Sequence, residues 1–100
     1  MKSRAELSQR QDDLYDVFDE AGGESPVIQA KLDATGFLLG ETDPIVDGAI
    51  TPPKTDKDID DLIARLRDER GTLPRFSAFG DPNWSMIDAQ IEICEWAKGE

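Results

Sequence analysis

The side chains of this chain that could carry chemistry are nearly all carboxylates. Twenty-two Asp and Glu stand against eleven Lys and Arg, there is no histidine, and Cys94 is the lone cysteine. Without histidine there is no Ser-His-Asp or Cys-His nucleophile, no Cys/His zinc site, and no group that titrates near neutrality at its ordinary pKa. What remains is a metal held by acids. The tract DKDIDDL, 56–62, puts Asp56, Asp60 and Asp61 within roughly one helical turn, a spacing able to hold Mg²⁺. At a helix start the same acids are accounted for by the helix dipole. No second carboxylate helix and no Lys/Arg set accompanies them, so metal-dependent hydrolysis ranks last of three readings, and no catalytic residue, metal or cofactor is expected. Cys94 falls on the apolar side of its segment, where a thiol behaves as a small hydrophobe.

The acids are unevenly placed. Residues 11–50 hold ten carboxylates against one base, Lys31, within a chain of net charge −11. Such a surface repels a phosphate backbone, which argues against direct DNA or RNA binding. No apolar run approaches a membrane span, and the first residues lack the hydrophobic core of a secretory signal, so a cytoplasmic, non-membrane protein is expected. One hundred residues fit a single domain, 1–100.

The elements that must position these residues are four predicted helices, making an all-α four-helix assembly. Ser3, with Glu6 three residues on, caps the first, over about 4–21, and Gly22-Gly23 stops it. Leu7, Leu14, Val17, Phe18 and Ala21 share one side, and Asp12, Asp13, Asp16, Asp19 and Glu20 the other. Ser25-Pro26 starts the second helix, over 26–39, which Gly40 ends. Residues 41–55, with Pro44, Gly48 and Pro52-Pro53, read as an internal semi-rigid linker, and Asp47-Gly48 suits a short two-stranded ribbon. Thr55 caps the third helix, over 56–70, whose Ile59, Leu62, Ile63 and Leu66 form a stripe ending before Gly71. Leu73, Phe76 and Phe79 are expected to fold back over the core. Asp81 or Asn83 starts the fourth helix, over 83–98, with Gly99 its stop. Trp84 is expected to be mostly buried.

The second and fourth helices align without a gap: IQAKLDATGFLLGE, 28–41, against IDAQIEICEWAKGE, 87–100. Ile28/Ile87, Ala30/Ala89, Gly40/Gly99 and Glu41/Glu100 are identical, so the chain reads as two related helical hairpins. Both helices are apolar on two sides, which places them at the centre with the first and third as wetter covers. If a far face is left uncovered, Phe37 or Trp96 becomes an interface residue.

The tract FGDPNWSMIDAQIEI, 79–93, resembles one found in small uncharacterised bacterial proteins of phage or plasmid origin, with an FGD-x-N then IDAQI pattern. The resemblance covers about a sixth of the chain. It implies a mobile-element accessory protein and carries over no catalytic residue.

Three expectations follow. The first is a non-enzymatic protein-binding module, in which Asp12, Asp13, Asp16, Asp19 and Glu20 dock on a basic, nucleic-acid-binding surface of a host protein and inhibit it by imitating the charge of DNA. The second is a self-associating structural module, a homodimer closed over Phe37 and Trp96. The third is the hydrolase already set aside.

Overall fold

The computed structural model describes residues 1–46, 51–75 and 83–98. Four helices follow in order: α1 (Arg4–Glu20), α2 (Pro26–Leu38), α3 (Asp56–Gly71) and α4 (Trp84–Ala97). There is no strand among the described residues.

Each helix begins where a short polar side chain can take up an orphan backbone N–H. The Ser3 hydroxyl accepts from the Glu6 N–H while the Glu6 carboxylate accepts from the Ser3 N–H, both at 3.2 Å, closing the capping box. Ser25, Thr55 and Asn83 accept from the amides of Ile28, Asp58 and Met86. The first two helices end in glycine-based Schellman turns. Gly22 and Gly23 have φ of 76° and 72°, and their amides donate to the carbonyls of Asp19 and Phe18; Gly40, at 77°, donates to Phe37 and Glu41 to Gly36. Gly71 departs from the expected pattern. It is the last residue of α3, and the chain leaves the helix at Thr72, whose hydroxyl donates to the Glu69 carbonyl at 2.8 Å. A hydroxyl that satisfies a terminal carbonyl does here what a left-handed glycine does after α1 and α2.

Composition decides which helices are central. Seven of thirteen residues of α2 are buried, among them Ala30, Leu32, Ala34 and Phe37, and seven of fourteen in α4, among them Ile87, Ala89, Ile91 and Cys94. In α1 only Leu7 and Leu14 are buried. Accordingly α2 packs on α4, α1 covers α2, and α3 covers α4 through Ile59, Leu62, Ile63 and Leu66. One hydrophobic cluster draws on all four helices.

Two expectations need correction. Val17 and Ala21 are exposed, not part of the buried side of α1: Val17 stands at the margin of the Leu7–Leu14 stripe, roughly 80° around the helix from Leu7, and Ala21 caps the helix beyond its last residue, while Phe18 between them packs against the core. In the segment between α2 and α3, Val46 and Pro53 are buried and Ile45 packs against the core. Apolar residues in a loop are drawn to the core as they are in a helix. Trp84 is only partly buried, with the guanidinium carbons of Arg70 and Arg75 each 4.9 Å from its ring centroid. Leu73 does fold against the core. Phe76, Phe79, Asp81, Gly99 and the Asp47-Gly48 turn lie outside the described residues.

Candidate functional site

Asp12, Asp13, Asp16, Asp19 and Glu20 are all exposed on α1, turned away from Leu7 and Leu14. None has an ion-pair partner among the described residues; Asp13 accepts one hydrogen bond, from Gln9 Nε2 at 3.0 Å. The bases that could neutralise them are engaged elsewhere. Lys2 Nζ and Arg10 Cζ lie 5.5 and 4.6 Å from the centroid of the Trp96 ring, and Arg4 donates to the Leu39 carbonyl at 2.9 Å. Thus α1 turns its cations inward onto α2 and α4 and its anions outward.

Two physical costs accompany that arrangement. Asp12, Asp16 and Glu20 repeat like charge on successive turns. Asp19 and Glu20 occupy the last turn of α1, which holds no base, where negative charge opposes the helix dipole. Tyr15 and Val17, 50% and 47% exposed, flank the acidic stripe on either side. The result is a ridge of unpaired carboxylates with two large apolar side chains at its margins.

The other candidate residues fall elsewhere. Phe37 is 1% exposed and belongs to the core, so it is no surface for a second molecule: packing within the single chain already covers the far face of α2. Trp96 is partly buried beneath Lys2 and Arg10. These two residues therefore do not join the acidic ridge in one surface. In DKDIDDL three of the four acids have a partner within the fold. Asp56 lies 2.7 Å from the Met1 α-ammonium, Asp58 accepts from the Lys54 amide, and Asp60 meets Lys98 Nζ at 2.8 Å. No group of three or more His, Cys, Asp or Glu suited to a metal occurs among the described residues. Cys94 is fully buried, and burial pushes its thiol up to about 12, far from the thiolate that reactivity requires.

One grouping was not anticipated from the sequence. Asp33 and Gln90, from the two central helices, share a cleft of about 420 Å³ with Thr42, Asp43, Pro44 and Ile45. Gln90 is only 7% exposed, and its Oε1 has no hydrogen-bond partner. The sequence did hold a signal: a glutamine, where the aligned position of α2 is Lys31, between Ala89 and Ile91 of α4. Comparison with known proteins adds nothing to this geometry, since no family, curated protein or solved structure matches the chain.

Proposed function

We propose that this protein is a non-enzymatic binding module that docks through the outer face of α1 onto a basic surface of another protein, of the kind that otherwise holds nucleic acid. The observation that carries the reading is the lack of any ion-pair partner among the described residues for Asp12, Asp13, Asp16, Asp19 and Glu20, although three bases of the first ten residues lie on or beside the same helix. A surface needed only for solubility would be served equally well by acids paired with those bases along the helix. Here the charge is concentrated, which steers a basic partner and repels nucleic acid. Tyr15 and Val17 supply the apolar contact area that electrostatic steering alone does not provide.

The resemblance of 79–93 to proteins of mobile elements fits an accessory protein that inhibits a host DNA- or RNA-binding protein. The test is to capture the partner at low salt, purify it, and measure its affinity by calorimetry with and without its nucleic acid. Affinity falls by about tenfold or more between roughly 50 and 500 mM salt, because exposed charges are screened over about 10 Å or less in that range. Nucleic acid and this protein displace one another. Affinity that ignores salt, or simultaneous binding of both, contradicts the reading.

A further inference from the structure

We propose that α1 is a hinged cover that leaves the body formed by α2, α3 and α4 as a single unit, turning about Gly22-Gly23, and that the acidic ridge exists as a helix face only while α1 is seated. The second half sets a condition on the docking reading and rests on it for its use. The first half stands on the chain alone.

The way the helices are joined comes first. α4 packs along both α2 and α3, whereas α1 packs along α2 at the edge of that body. Seven residues are buried in α2, seven in α4 and four in α3, against only Leu7 and Leu14 in the seventeen residues of α1. Apolar burial is what holds an element down, so α1 is the helix with the least to lose on opening.

The fixings of α1 and its hinge point the same way. The Lys2 amide donates to the Ala97 carbonyl at 2.7 Å, the Met1 ammonium meets the exposed Asp56 at 2.7 Å, Arg4 donates to the Leu39 carbonyl at 2.9 Å, and Gln11 Nε2 donates to Glu41 at 3.3 Å. With Lys2 and Arg10 over Trp96, all of these precede Leu14. They are polar and lie near water, which replaces them at little cost. Beyond Leu14 the helix keeps Phe18 against the core, and residues 21–24 are exposed. Gly22 and Gly23 hold φ of 76° and 72°, and no atom stands within 4 Å of where a Gly22 Cβ would be. Glycine passes from this left-handed region to extended backbone without steric penalty, so the turn swings with no side chain to clear.

Release melts the ridge. Isolated helices of roughly this length are marginal in water even in favourable sequences. Here Asp12, Asp16 and Glu20 repeat like charge along one face, and the last turn carries acids without a base. The capping box at Ser3 and Glu6 acts at the other end. The seat on α2 and α4 therefore keeps the carboxylates in register. Leu7, Leu14 and Phe18 are positioning residues for a face that they do not form.

The test is amide hydrogen exchange on the full chain, read residue by residue by NMR where exchange reports the opening equilibrium. The expected result is that the amides of residues 8–20, ridge and inner face alike, exchange as one group, faster by about tenfold or more than the slowest amides of α2 and α4. Ile63→Val in α3, with its circular dichroism unchanged, then identifies the unit. It speeds the slowest amides of α2 and α4 by about two- to tenfold, the effect of removing one buried methyl group, and leaves residues 8–20 as they were, because α3 stays folded when α1 opens. Three results overturn the proposal: α1 amides as slow as those of α4, exchange that rises stepwise from Ser8 to Glu20 as in simple fraying, or α1 amides that speed up with the rest in Ile63→Val. No partner enters this measurement, which keeps the two readings apart. If exchange follows the expected pattern while capture finds no salt-sensitive basic partner, the docking reading falls and the hinged cover stands.

Discussion

Glu6 shows how far a single residue can be read. Its place three positions after Ser3 marks a capping box in the sequence, and in the fold the two residues exchange hydrogen bonds. The Ser3 backbone N–H, then its hydroxyl, holds the Glu6 carboxyl below its ordinary 4.5, and the Lys54 N–H does the same for Asp58 below 3.8. A carboxylate whose folded pKa is depressed stabilises the fold fully above its unfolded value, and the contribution is lost as pH falls through the folded one. Glu6→Gln and Asp58→Asn therefore lower the denaturation midpoint near neutral pH, and the difference from the parent shrinks as acid carries the solution below the ordinary 4.5 and 3.8 and through the depressed folded values. A gap that persists in acid would mean that these caps act through shape and not charge. Gln90 marks where single-residue reading stops. Its amide is visible in the sequence, but the missing donor depends on which side chains of α2 and the following loop are brought beside it.

The four helices were legible because their starts and stops are local. Ser3, Ser25, Thr55 and Asn83 announce the first turns, and Gly22-Gly23 and Gly40 the Schellman ends. The end of α3 was not, because the Thr72 hydroxyl performs the task expected of Gly71. Central and covering roles were also legible, since α2 and α4 are apolar on more than one side. How far each cover is buried was not: α3 seats four residues in the core, whereas α1 seats only Leu7 and Leu14. This difference has a measurable consequence. Leu66, with 0% exposure, should cost about 2–5 kcal/mol on replacement by alanine, a large fraction of the roughly 5–15 kcal/mol that holds a domain together. Leu14→Ala, near the end of α1 and 9% exposed, lies toward the low end of that range. Chemical denaturation of the two variants tests the ordering, and equal losses would show that α1 is bound as firmly as α3.

At the scale of the molecule, charge is sorted by place. Ion pairs stitch α3 to α4, through Arg67–Glu95 at 3.1 Å, Arg70–Asp88 at 2.7 Å and Lys98–Asp60 at 2.8 Å, while the acids along α1 are left to solvent. Sequence counting located the negative half, because ten of the acids fall in 11–50. It could not foresee that Lys2 and Arg10 would be spent on Trp96, nor that Phe37 would be sealed inside a single chain, since both depend on how α1 and α4 approach one another. Carboxylates that serve folding stabilise the protein, and carboxylates that serve a partner need not. The most direct measurement is therefore a paired one on a variant with Asp12, Asp13, Asp16 and Asp19 changed to Asn and Glu20 to Gln. The account predicts a melting temperature equal to the parent's or higher by on the order of a few degrees, as repulsion and the dipole conflict are relieved, together with loss of affinity for the basic partner by about a hundredfold. A lower melting temperature with undiminished affinity would contradict it.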